Sequence, residues 1–88
     1  MRYRLVYTAD FEKAVLQHGL AVRWRLEKAL TLLVENPFHP QLHTKALAGQ
    51  LEGSYSFRLG RDVRVIFVFR EGSVIHLLKI SKRGDIYR

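Results

Sequence analysis

Side chains that can hold negative charge are the ones whose types and spacing suggest chemistry in this 88-residue chain. Arginines recur through its last third, at Arg58, Arg61, Arg64, Arg70 and Arg83, with Lys79, Lys82 and Tyr87 among them. A guanidinium offers its N–H groups as a fork that grips a phosphate through two oxygens and stabilises charge developing there. A tyrosine nearby can stack on a base or pass a proton. Arg58 falls on the polar side of an alternating segment, and Arg64 interrupts the otherwise apolar run VRVIFVF. A charge in such a place is costly to bury unless it is paired. The sequence leaves two arrangements open: these arginines pair with carboxylates on a sheet surface, or they face an open groove.

Other reaction classes lack their residues. His39 and His43 are four apart, but Pro40 between them spoils the helical spacing of a metal pair, and His18 and His76 are remote in sequence. Neither GxxxxGKS/T nor GxGxxG occurs. The acidic residues show no paired spacing of the kind a carboxylate dyad needs, and no serine sits in an elbow sequence. There is no cysteine, hence no disulfide and no thiolate metal site. The chain is therefore expected to work without metal or cofactor.

Those residues must be positioned by a small structure. The length fits one domain, 1–88, with a thin core. Hydrophobic residues make up 48%, enough for a folded domain. Lys and Arg number 15 against 8 Asp and Glu, a formal charge of +7 that favours a polyanionic partner, either nucleic acid or an acidic protein. The N-terminus lacks the apolar run of a signal peptide, and no stretch approaches the roughly 20 apolar residues of a membrane span. A cytoplasmic location fits both facts.

Residues 2–7 alternate and predict a half-buried strand. Thr8 and Asp10 can cap a first helix over about 9–18, with Phe11, Ala14, Val15 and His18 at helical spacing and Gly19 as a C-terminal stop. A second helix is expected from Leu20 to Glu35, with a stripe of Val22, Leu26, Ala29, Leu30 and Leu33, closed by Asn36-Pro37. Trp24 lies off that stripe and is expected to widen the buried face rather than enter a partner's groove. Residues 36–52 are irregular, with one helical turn expected around Thr44–Ala48; a loop of this length hints at function. Strands follow over 54–59, 63–69 and 74–81, joined by turns at Gly60-Arg61-Asp62 and Arg70–Ser73. The order β-α-α-β-β-β gives a two-layer α+β domain, a largely antiparallel sheet with two N-terminal helices on one face.

At this point the chain resembles a known family. The pattern L-x-G at Leu51 and Gly53, a short strand ending in Arg58, the run Val63-Arg64-Val65-Ile66-Phe67, and a basic tail of Lys82-Arg83-Gly84 through Tyr87-Arg88 are similar to the RelE/ParE superfamily of toxin–antitoxin toxins, and to archaeal-type RelE in particular. The resemblance covers essentially the whole chain. It implies a toxin that enters the ribosomal A site and cuts mRNA without a metal, the 2′-OH attacking the adjacent phosphate. It implies that Arg64 contacts the scissile phosphate, that Arg83 and Tyr87 act from the tail, and that Arg58 and Lys45 match more loosely. Lys13, Arg23, Arg25, Lys28, Arg61, Lys79 and Lys82 would hold RNA by its phosphates. The implied partners are the ribosome, mRNA and an antitoxin that wraps the toxin with an acidic segment. Two departures stand out. The tail place that is histidine in several relatives is basic here, and the base some relatives carry before the second strand has no clear counterpart, His43 being an unanchored stand-in. The ParE branch poisons DNA gyrase instead of cutting RNA; Arg64, Arg83 and Tyr87 together lean towards RelE.

Overall fold

The computed structural model describes residues 2–82, and its elements follow the hydrophobic spacing. Strand β1 (Arg4–Tyr7) opens the chain, and helix α1 (Ala9–Gln17) follows at once. The Thr8 hydroxyl accepts the Phe11 N–H at 3.0 Å and so caps the helix. Gly19 does separate the helices, but not as a left-handed stop. Its φ is −68° and it serves as the N-cap of α2 (Leu20–Glu35), its carbonyl accepting from Val22 and Arg23. Asn36 ends α2, and its side chain accepts the Phe38 N–H across Pro37.

The segment from Asn36 to Glu52 departs from expectation. No helical turn forms at 44–48. Instead a two-residue strand β2 (Lys45–Ala46) lies between 3-10 turns at Pro40–Leu42 and Gly49–Leu51. The cause is tertiary: Lys45 and Ala46 pair antiparallel with Ser56 and Tyr55, so ladder bonds displace a weak local helical preference. Strands β3 (Tyr55–Arg58), β4 (Val63–Arg70) and β5 (Val74–Lys82) follow.

The sheet thus has five strands rather than four, in the order β1-β5-β4-β3-β2. All pairs are antiparallel except β1 with β5, which run parallel. A register shift between Ile66 and Phe67 leaves Leu78 of β5 as an extra, bulged residue. The bulge resets the alternation, so Ile75, Leu77 and Ile80 all reach the core. Helices cover one face of the sheet. Phe11, Leu26 and Leu33 pack there against Phe57, Val65, Phe67, Ile75 and Leu77. Phe57 and Phe67, both fully buried, approach with ring centroids 5.9 Å apart. On the other face, Leu47 and Leu51 cover only Ile66. No helix among the described residues is long and apolar enough to cross a membrane.

Trp24 does not widen the buried face. It is 58% exposed, beside Leu16 and Leu20 over a groove between α1 and α2, with Lys28 Nζ 4.0 Å from its ring centroid. Two residues before Leu26 is more than half a helical turn from the core stripe, and Lys28 at i+4 shares the outer face.

Burial fixes the ranking of two substitutions. Leu33→Ala, at a fully buried position, is expected to cost about 2–5 kcal/mol in denaturant unfolding. Trp24→Ala is expected to cost about 1 kcal/mol or less, the scale of an exposed cation–π contact. The reverse order would contradict this packing.

Candidate functional site

Side chains alternate along each strand, so the sheet face turned away from the helices is defined by register. Lys45 stands opposite Ser56, Ser56 opposite Ile66, and Ile66 opposite Lys79. In the next row Arg58 stands opposite Arg64 and Arg64 opposite Ser81. Four cations from four strands therefore share one face, around the apolar floor of Ile66 and the buried hydroxyl of Ser56. The bulge at Leu78 is what brings Lys79 and Ser81 to this side.

The Arg58–Arg64 pair decides what this face can do. Like charges directly opposed across strands are destabilising. Arg64 is nonetheless buried, at 6% exposure, with its Nη1 donating to the carbonyls of Arg61 at 3.2 Å and Val63 at 3.3 Å. Arg58 is half-buried, and its Nε is buried with no hydrogen-bond partner. Neither arginine forms a salt bridge with a carboxylate of the described residues; the ion pair of Arg2 with Glu35, at 3.0 Å, lies elsewhere. Of the two arrangements the sequence left open, the described residues show the unpaired one. An unsatisfied buried donor costs about 1–3 kcal/mol, and an anion set between the two guanidiniums would satisfy donors and charge together.

The other sequence-derived residues divide into groups. Arg61 is exposed on the β3–β4 turn, where it, Arg58, Gly60, Gln41 and His43 line a depression of about 320 Å³. His43 has a left-handed backbone, φ 51°. Arg25 of α2 lies against Gly60, so two residues of the helix face, Arg25 and Lys28, border the same end of the sheet. Arg23 instead lines the α1–α2 groove, and Lys13 is exposed on α1. Lys82 pairs with Val63 and so has the opposite parity to Arg64. Arg83 and Tyr87 lie outside the described residues. Among the described residues no three His, Cys, Asp or Glu side chains converge as metal ligands. Sequence reasoning missed Ser56, although its alternation with Arg58 carried the signal. It also missed Gln41 and Gly60, which only tertiary packing brings to Arg58.

Two opposed arginines without a carboxylate partner among the described residues give anions a place to bind the folded state. Inorganic phosphate is expected to raise the melting temperature of the wild-type chain more than that of Arg58→Met, because a ligand that binds only the folded state stabilises it. Arg58→Met itself is expected to be neutral or stabilising in phosphate-free buffer. Equal phosphate responses in both proteins, read by thermal melting, would contradict this account.

Solved structures share this fold. The archaeal RelE–RelB complex from Pyrococcus horikoshii OT3 matches with TM-score 0.80 and 29% sequence identity, over 96% of this chain and 98% of that one. The YoeB/ParE toxin from Agrobacterium tumefaciens matches with TM-score 0.78 at 14% identity, over 91% and 98% of the two chains. YafQ from E. coli strain BL21(DE3) matches with TM-score 0.75 at 16% identity, over 99% of this chain and 100% of that one. The last two likenesses speak for the fold alone. No protein-family model and no curated protein matches the sequence. With its five-stranded sheet and its paired N-terminal helices, the chain has the RelE-like fold that these toxin structures share.

Proposed function

We propose that the chain is the toxin of a type II toxin–antitoxin system and acts as an endoribonuclease on ribosome-bound mRNA. The observation that carries this reading is the opposed pair Arg58 and Arg64, half-buried and buried, without a carboxylate partner among the described residues. In the reaction the 2′ oxygen bonds to the adjacent phosphorus, the bond from phosphorus to the 5′ oxygen breaks, the 2′ proton is lost and the 5′ oxygen gains one. The products are a 2′,3′-cyclic phosphate and a 5′-OH. Extra negative charge develops on the phosphate oxygens in the transition state, and fixed guanidiniums stabilise it more than they stabilise the ground state. Arg64 suits this role because an inner strand and two carbonyl contacts hold it. Arg58 faces it, and Lys45 and Lys79 flank the same face. Arg83 and Tyr87 enter the proposal from the sequence resemblance: the first as a further phosphate contact, the second stacking on or orienting a base. Lys13, Arg23 and Lys82, outside the sheet-face cluster, would meet ribosomal RNA phosphates.

Arg64→Ala is expected to lower mRNA cleavage by about 100-fold or more, read by primer extension on mRNA from expressing cells. The variant should remain folded. Unimpaired toxicity of a folded Arg64→Ala, Arg83→Ala double variant would remove the nuclease reading. An arrest of DNA replication before protein synthesis would then leave a gyrase poison.

The partner we propose is an acidic antitoxin segment, since the +7 charge and the unpaired sheet-face arginines favour one. The similar archaeal structure is itself a RelE–RelB complex. Co-expression with the product of the neighbouring gene is expected to give a complex that weakens as salt rises yet persists through its apolar contacts. Failure of that product to bind or to restore growth would contradict the pairing.

A further inference from the structure

We infer that the trough at the β3–β4 turn is a second phosphate subsite, which takes the backbone phosphate of a nucleotide adjoining the cleaved bond. The inference rests on the nuclease reading and adds to it a requirement that the substrate be a strand, gripped at two phosphates.

Two depressions, of about 320 and 210 Å³, share Gln41, Arg58 and Gly60 and so form one trough. Arg61 of the turn borders one part, and Arg25 and Lys28 of α2 border the other. None of the described lining residues is acidic. Arg58, Arg61 and Arg25, from β3, the turn and α2, thus come together with no counter-charge among the described lining residues, while the Lys28 ammonium lies over the Trp24 ring. Surface cations with no ligand to hold can spread apart, and salt screens those that remain. Here one of them, Arg25, lies close against the turn.

Gly60 leaves room for this approach. Its φ is +91°, a conformation that other residues rarely adopt. A Cβ built on it would lie 3.1 Å from Arg25 Nη1 and 3.6 Å from Arg25 Cζ. The bare backbone of the turn therefore lets the Arg25 guanidinium lie against it, next to Arg58 in the trough lining. Its planar fork suits an oxyanion gripped through two oxygens.

Arg58 links the two sites. It faces Arg64 across the β3–β4 ladder, and it also lines both parts of the trough. Arg64 Nη1 lies 3.2 Å from the Arg61 carbonyl, so a strand with one phosphate at Arg64 runs beside the turn that carries Arg61. Contacts of this kind position a strand without reading its bases.

The test uses the full chain and a five-nucleotide RNA with a 2′-deoxy block at the cleavage position, and twins in which the phosphate on either side is a neutral methylphosphonate. Dissociation constants are measured against salt. Neutralising the adjoining phosphate is expected to weaken wild-type binding about 10-fold and to lower the salt slope by about 0.7. The double variant Arg25→Gln, Arg61→Gln should lose as much with the unmodified RNA and nothing further with the methylphosphonate. Gly60→Ala should reproduce part of the loss by displacing Arg25. Melting temperatures are taken alongside, and Arg61→Gln alone carries the test if Arg25→Gln unfolds the chain. Additive losses from variant and methylphosphonate would overturn the subsite, as would the absence of measurable RNA binding by the wild type. Absence of mRNA cleavage by the wild-type chain in primer extension would instead strike the nuclease reading, so the two failures are distinct.

Discussion

The pairing register of β3 with β4 is the constraint on which the functional face depends. Tyr55 against Phe67 and Phe57 against Val65 set it, because those four side chains must all enter the core beneath the helices. A slip of β3 by one residue would turn Tyr55 and Phe57 to the open face and is strongly disfavoured. Once the apolar side is fixed, the polar side has no freedom left. Ser56 must face Ile66, and Arg58 must face Arg64. The electrostatic conflict between the two arginines follows from hydrophobic packing on the far side of the sheet.

This separates the two tasks of a thin domain. One face supplies cohesion through rings such as Phe57, Phe67 and Phe69, whose centroids lie 5.4 to 5.9 Å apart. The other accumulates positive charge that contributes nothing to cohesion. The bulge at Leu78 extends the division to β5: without it, Lys79 and Ile80 would exchange faces. Mixed demands on one strand are thus met by a local irregularity rather than by compromise at each position.

Much of this was legible in the sequence. Helical spacing located α1 and α2 because their core residues recur at threes and fours, and alternation located Arg58 on its strand. The places where the reading failed share a physical character. Lys45-Ala46 has no strand signal of its own and is extended only because Ser56 and Tyr55 pair with it. Trp24 is apolar yet exposed, since apolar type alone does not tell on which side of a helix the core lies. The approach of Arg25 to Gly60 joins residues 35 positions apart, which no local pattern encodes. That Arg58 and Arg64 lack acidic partners among the described residues likewise depends on register and turn geometry, which no local pattern encodes.

The parallel pairing of β1 with β5 bears on how such a chain comes into being. Arg4 meets Val74 and Tyr7 meets Leu77, so the first strand has its neighbour near the opposite end of the molecule. Contacts that far apart carry the largest loop-closure penalty and form late. During synthesis the N-terminal strand and both helices emerge with their apolar sides unmatched, and the sheet can be completed only after β5 has left the ribosome. The basic face, which needs β3, β4 and β5 side by side, exists only from that moment. A nascent fragment that ends before β5 therefore lacks the assembled basic face, however well its helices have formed.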